Sequence, residues 1–315
     1  MAAGVAALPA MSRLAKAQAY PTRPVRIVTG FAPGGQSDIM ARLMGQWLSE
    51  RLSQPFVIEN RPGGGTNIAT EAVARAPADG YTLLVVGPTQ AINATLSDKL
   101  NFHFIRDLAP VAGIIVAPQV MVVNPSVPAT TVPEFIAYAK ANAGKLNMAS
   151  GGIGSPSHVS GELFKMITGI DMVHVPYRGG ATVLTDLLAG QAQVYFSPAP
   201  AAIEYIRAGK LRALAVTTAA RSEALPNIAT VAEFVPGYEA SNWAGIVAPR
   251  ATPVEIIEKV NREINAGLAD TRMKARLADL GGTVLPGSPG DFGKFLADET
   301  AKWAKVIKFA GLKPV

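Results

Sequence analysis

Val25-Arg26-Ile27-Val28-Thr29 runs into Gly30-Phe31-Ala32-Pro33-Gly34-Gly35-Gln36-Ser37, and a helical pattern opens at about Asp38. The first five residues are a short β-branched run of strand type. Pro33, Gly34 and Gly35 then break it. Ile39, Leu43 and Trp47 recur at four-residue spacing, with Met40, Met44 and Leu48 beside them, and Ser37 or Asp38 suits the N-cap. The unit is strand, glycine-rich loop, helix.

The same unit recurs along the chain. Phe56–Glu59 leads through Asn60-Arg61-Pro62-Gly63-Gly64-Gly65 to a helix from about Asn67, and Tyr81–Val86 leads through Gly87-Pro88-Thr89 to Gln90–Leu96. It restarts at Leu146–Ser150, with Gly151-Gly152-Ile153-Gly154-Ser155-Pro156 before a helix from about Ser157. Met172–Pro176, Tyr177-Arg178-Gly179-Gly180 and Ala181–Leu188 follow, then Val194–Phe196, Ser197-Pro198 and Ala201–Ala208, then a strand at Leu211–Thr217. Alternation through short loops predicts parallel sheets in an α/β fold. The restart predicts two lobes, which suits 315 residues of which 49% are hydrophobic. Leu108–Val123 is apolar but divided by Pro110, Pro118 and Gln119, so two buried strands are expected there rather than a membrane span. Trp243–Val247 reads as a strand, and Pro253–Ala269 and Asp291–Ala310 as helices that return to the first lobe. The crossings between lobes are expected near Val122–Pro128 and Ser241–Val247.

Composition removes several classes of function. There is no cysteine, which excludes disulfides, Cys-ligated zinc, iron–sulfur clusters and thiol nucleophiles. The net charge of +6 is scattered, without the Lys/Arg run or aromatic-interleaved basic patch of a nucleic-acid binder. Two of those charges, Arg13 and Lys16, lie in residues 1–19. There a small apolar run, Ala2 to Ala10, precedes Ala17-Gln18-Ala19, a small-x-small cleavage pattern, so residues 1–19 are expected to be the remnant of an export signal.

In parallel α/β sheets, ligands collect at the carboxyl ends of the strands. Glycine lets backbone N–H groups approach a ligand, and the first helical N–H groups are unpaired and favour negative charge. Each loop, taken alone, also reads as an ordinary tight turn. The set, split between two lobes, reads as a clamp for a small anion. Thr89, Ser155 and Ser157 offer hydroxyls or N-caps, Tyr177 can line the cleft, and Arg178 can pair with an anion or stand solvated. Asp38 reads as a cap or loop brace. No P-loop, nucleophile elbow or complete dinucleotide fingerprint is present, and His103, His158 and His174 lack metal-ligand spacing. His174, between Val173 and Val175, reads as a packed core histidine.

These motifs resemble the solute-binding proteins of tripartite tricarboxylate transporters, the Bug family. The resemblance is carried by Tyr20-Pro21-Thr22-Arg23-Pro24-Val25-Arg26-Ile27-Val28, Phe31-Ala32-Pro33-Gly34-Gly35-Gln36-Ser37-Asp38, Glu59-Asn60-Arg61-Pro62-Gly63-Gly64-Gly65 and Ala78-Asp79-Gly80-Tyr81-Thr82-Leu83. Gly154-Ser155-Pro156-Ser157-His158, His174-Val175-Pro176-Tyr177-Arg178-Gly179 and Gly209-Lys210-Leu211-Arg212-Ala213-Leu214-Ala215-Val216 continue it in order through the second half.

The resemblance implies a two-lobed α/β periplasmic-binding-protein fold of the Venus-flytrap type II kind, with its ligand cleft between lobes. Lobe 1 would comprise 20–122 and 243–315, and lobe 2 residues 123–242. It implies a periplasmic, monomeric protein that captures a small carboxylate for membrane permease subunits, without cofactor, metal or catalysis. By position, the implied ligand contacts are Phe31, Ala32, Gly35, Ser37, Gly65, Thr89, Ser155, Ser157, His158, Tyr177 and Ser197. The chain has Gln36-Ser37 where family members often have proline and threonine. After Val194–Phe196 it lacks the acid that some members use to meet an amino group. A dicarboxylate or aromatic carboxylate is therefore expected over an amino acid. Two alternatives are a secreted sensor feeding a signalling receptor and a hydrolase using Ser157, His158 or His174 with Asp171.

Overall fold

The computed structural model describes residues 20–177 and 180–313. Residues 1–19, expected to be the remnant of an export signal, and Arg178 and Gly179 lie outside the described residues. In chain order the first half contains β1 (Val25–Thr29), α1 (Gln36–Leu52), β2 (Phe56–Asn60), α2 (Asn67–Ala74), β3 (Thr82–Val86), α3 (Pro88–Leu96), β4 (Leu108–Val123), α4 (Val132–Ala141), β5 (Asn147–Ser150) and α5 (Pro156–Thr168). The second contains β6 (Val173–Pro176), α6 (Gly180–Leu188), β7 (Val194–Pro198), α7 (Ala199–Arg207), β8 (Arg212–Val216), β9 (Ser241–Pro249), α8 (Val254–Ala269), α9 (Thr271–Asp279), β10 (Thr283–Val284) and α10 (Pro289–Phe309).

Strand order is β2-β1-β3-β9-β4-β7-β5-β6, with β8 and β10 also on β4. The β1, β2 and β3 pairings are parallel, as are those of β5 with β6 and β7. The expectation of parallel sheets holds for those strands only, because β9 runs antiparallel to β3 and β4, and β4 antiparallel to β7 and β8. β9 enters from the long connection after β8 rather than from a βαβ crossover, and no local pattern signals its direction.

The expected pair of strands in Leu108–Val123 is one strand of 16 residues. Its proline at 110 sits where the register with β9 shifts, so the missing N–H removes no regular ladder bond. Pro118 is the last residue paired with β9, and Gln119 is the first paired with β7. The strand thus changes sheets between Pro118 and Gln119, ahead of the expected Val122–Pro128.

Side-chain alternation builds three hydrophobic layers. Val25, Ile27, Leu83 and Val85 face α1 and α8 through Met40, Met44, Leu48 and Ile264. Val120, Val122 and Ala149 face α6 and α7 on the far side of the second sheet. The alternate residues, among them Val28, Leu84, Met121 and Val194, enter a layer shared by both sheets, closed by Phe164, Tyr238, Trp243, Phe292 and Trp303. The last helix, α10, packs against α3 and α5, so it straddles the two halves of the fold.

Candidate ligand-binding site

A cavity of about 360 Å³ opens between the two halves. Phe31, Gly35, Gln36, Ser37 and Val86–Thr89 line it on one side, with Asn242, Trp243 and Ala244 of β9. Gln119, Gly151, Pro156, Ser157, Gly180, Tyr195 and Pro198 line the other. Five helices start here: α1 after Gly35, α3 after Gly87, α5 after Ser155, α6 at Gly180 and α7 after Pro198. Pro88 and Pro156 occupy first-turn positions, where a missing N–H costs nothing. Among the described lining residues none is Asp, Glu, Lys, Arg or His. What the described lining offers a ligand is backbone dipoles and hydroxyl and amide groups.

The first loop is braced from below. The Asp38 carboxylate accepts from the Gly34 N–H, Arg42 Nε and Asn60 Nδ2, each at 2.9 Å. The Arg42 hydrogen bond is the main cause that holds its pKa down at about 2. Asn60 Nδ2 also donates to the Phe31 carbonyl at 3.0 Å. Asp38 thus stays ionised while its charge is turned into the loop's own support, and Ser37 Oγ bonds to Thr29 Oγ1 at 2.8 Å.

The loop of the other half is held by small side chains. Ser157 Oγ accepts the Gly151 N–H at 3.0 Å and lies 3.0 Å from Ser155 Oγ, which accepts the His158 N–H as N-cap. The Tyr195 hydroxyl lies against Ser157 and Ser197, and burial pushes its pKa up.

Of the residues expected from sequence, Phe31, Gly35, Ser37, Thr89 and Ser157 line the cavity. Ala32 is exposed on the same loop, and Ser155 serves the α5 cap. Gly65, at φ 59°, carries a carbonyl that accepts from Asn93 Nδ2. Tyr177 donates its hydroxyl to Asp186 at 2.8 Å, and Ser197 is fully buried. His158 is buried below the loop. Sequence reasoning missed Gln119, Asn242, Tyr195 and the prolines at 88, 156 and 198. A polar Gln119 inside an apolar strand run was the available signal.

Ser150 Oγ and His174 Nε2 lie 2.6 Å apart, the spacing of a nucleophile and base. Ser150 is fully buried, however, and its Oγ is also engaged with the Gly152 N–H and carbonyl. The His174 ring stacks on His158, with centroids 3.5 Å apart at 12°. This is a brace for the loop, not an exposed nucleophile. Among the described residues no cluster of His, Asp and Glu is arranged to hold a metal.

Burial lowers the pKa of His158 to about 3 and that of His174 to about 4. The unfolded chain, with ordinary histidines near 6.5, binds protons that the fold refuses. The stability these residues contribute is therefore complete above about pH 6.5 and declines as pH falls toward 4. Between pH 7 and 5 the protein is expected to lose about 2 kcal/mol from His158, and less from half-buried His174. Urea titrations at the two pH values measure this, and His158→Asn should remove about half of it.

A larger cavity, about 560 Å³, lies on the other face of the crossing strand against Val116 and Pro118. Glu223, Glu239 and Asp279 line it with Arg221, whose guanidinium is already paired with Glu233, and no helix begins there, so it suits an anion less well.

Two α/β halves joined through shared strands, with converging helix N-termini at the cavity between them, define a two-lobed solute-binding protein of the periplasmic-binding type. The tripartite tricarboxylate transporter family receptor model matches residues 40–312, and the chain belongs to that family. Protein BugT of Bordetella pertussis is 36% identical over 300 residues, covering 94% of this chain and 92% of BugT. The structure of Rpa4515 from R. palustris with adipate is 38% identical, with a TM-score of 0.80 over 94% of this chain and 100% of that one. MatC (Rpa3494) from Rhodopseudomonas palustris with bound malate is 31% identical, with a TM-score of 0.76 over 91% and 100%. No helix among the described residues is long and apolar enough to cross a membrane.

Proposed function

We propose that this protein captures a small carboxylate, either a dicarboxylate or an aromatic carboxylate, in the periplasm and presents it to the membrane permease subunits of a tripartite tricarboxylate-type transporter. The observation that carries the reading is the convergence of five helix N-termini on a cavity whose described lining has no charged side chain. An anion is the ligand such a lining favours, and fixed dipoles bind it without a counter-charge. Adipate and malate in two relatives support the class.

The groups assigned to the ligand are Phe31, Gly35, Ser37, Thr89 and Ser157, with Gln36, Gln119 and Asn242 added from the cavity wall. Gly65, Ala32, Ser155, His158, Tyr177 and Ser197 act behind them. The lobes divide within a few residues of 122/123 and 242/243 and turn on the paired strands β4 and β9. The protein acts as a monomer and catalyses no reaction.

The test is a thermal-shift screen of ligand-stripped protein against dicarboxylates, tricarboxylates, aromatic carboxylates and amino acids. A carboxylate at ~100 times its Kd adds about 2.7 kcal/mol, a shift of several degrees. Recovery of the compound unchanged separates binding from turnover. A flat response to every carboxylate from folded protein overturns the reading.

A further inference from the structure

The stacked imidazoles beneath the second loop do not line the cavity, yet they hold the residues that do. His158 is 1% exposed in the first turn of α5. Its Nδ1 accepts the Gly154 N–H at 3.1 Å. A backbone N–H only donates, so Nδ1 must be bare and the neutral ring carries its proton on Nε2. That nitrogen lies 3.7 Å from Glu162 Oε1, which also receives the Lys165 ammonium at 3.0 Å. On β6, His174 Nε2 meets Ser150 Oγ, which accepts the Gly152 N–H at 3.2 Å. The two rings therefore fix Gly152 and Gly154 between them. Those glycines stand at φ 129° and 72°, positive values that glycine adopts without a Cβ penalty. Gly151 and Ser157, joined by their own hydrogen bond, are the loop's faces on the cavity.

Among the described residues the charges around the pair are few. Glu162 and Lys165 belong to α5 itself. β5 and β7 carry no Asp, Glu, Lys or Arg. Asp171, ahead of β6, lies beside Gly144. On α10, which packs across α5, the buried carboxylate of Glu299 is held by Trp243, Trp303 and Lys302.

We propose that His158 and His174 are a positioning pair that keeps the ligand loop in its binding shape only while both rings are neutral, so that acidification weakens ligand capture in a protein that is still folded. A proton on His158 Nδ1 turns an acceptor into a donor that faces the Gly154 N–H. Two protonated rings would also stack like charges 3.5 Å apart. Both effects are relieved when the loop lifts and water reaches the rings, so the lifted loop takes the proton first. Below about pH 6.5, the ordinary histidine value, protons and ligand compete for the loop. This inference rests on the binding reading for its link to affinity, but the loop itself can be read without a ligand.

The experiment uses amide hydrogen exchange on the full chain, with adipate and malate titrations, at pH 7.5 and 5.0. Exchange is corrected for its intrinsic pH dependence. The Gly152 and Gly154 amides are expected to lose at least tenfold protection at pH 5.0, while β4 amides keep theirs. The Kd of whichever probe binds should rise at least tenfold. In His158→Asn, the side-chain oxygen stands where Nδ1 was and does not titrate in this range. That variant should keep the loop protected and reduce both pH dependences to the part that His174 supplies. Unchanged loop protection in the wild type, or the same pH profile in the variant, overturns the proposal. If neither probe binds at pH 7.5, the carboxylate reading is weakened, and the exchange data still decide for the pair.

Discussion

Ser37→Asp is expected to raise the Kd for every carboxylate that the wild type binds by roughly 10³-fold, while the melting temperature holds or rises. Ser37 lines the cavity in the first turn of α1, and its hydroxyl already bonds to Thr29. An added carboxylate meets the ligand's charge at a spacing of about 4 Å. At an effective dielectric constant of about 20 that repulsion is about 4 kcal/mol, or roughly three decades of affinity. The same charge at a helix N-terminus stabilises the helix by about 0.3–1 kcal/mol. Binding and stability therefore move apart, which general unfolding would not produce. Ser37→Ala removes one hydroxyl and should cost about tenfold or less. Calorimetric titration with a parallel thermal melt measures both quantities. An Asp variant that binds like the wild type would mean that no ligand carboxylate sits at this helix.

Glu299→Leu is expected to destabilise the fold by about 2–5 kcal/mol in urea titration, with a much smaller loss in Glu299→Gln. One buried oxygen of Glu299 accepts both the Trp243 and Trp303 indole N–H groups, at 2.9 and 3.0 Å. Its other oxygen pairs with Lys302, which also bonds the Glu239 carboxylate. Leucine fills the volume but leaves two buried donors without an acceptor, at about 1–3 kcal/mol each. A glutamine oxygen can accept both indoles and gives up only the Lys302 pair. Similar losses in the two variants would show that the ion pair, not the indole acceptor, is what matters.

Much of the fold was legible because its signals are local. A β-branched run followed by glycines and a 3.6-residue period specifies a strand, a turn and a helix within about twenty residues. β1, α1, β5 and α5 appear where those signals stand. Part of the candidate site's lining was legible in the same way. Glycines and hydroxyls at helix starts marked Gly35, Ser37, Thr89 and Ser157, all of which line the cavity. The order of motifs pointed to the family that the comparison with its model then established.

Residues far apart in sequence decided the rest. Prolines at 110 and 118 argue locally for a break, yet β4 runs on because one coincides with a register shift and the other with a change of neighbours. Gln119 and Asn242 reach the cavity because β4 and β9 cross between the halves, a pairing that no periodicity encodes. His174 reads as core in sequence. Its partnership with His158 exists only because α5 packs over β5 and β7 while β6 pairs beside β5. The sequence alone determined the local elements and the anion-favouring helix starts, since backbone propensity and capping act over a few residues. Tertiary structure determined which of those starts face one another, which strands run antiparallel and which polar groups are buried together, since these depend on long-range packing that composition and spacing leave open.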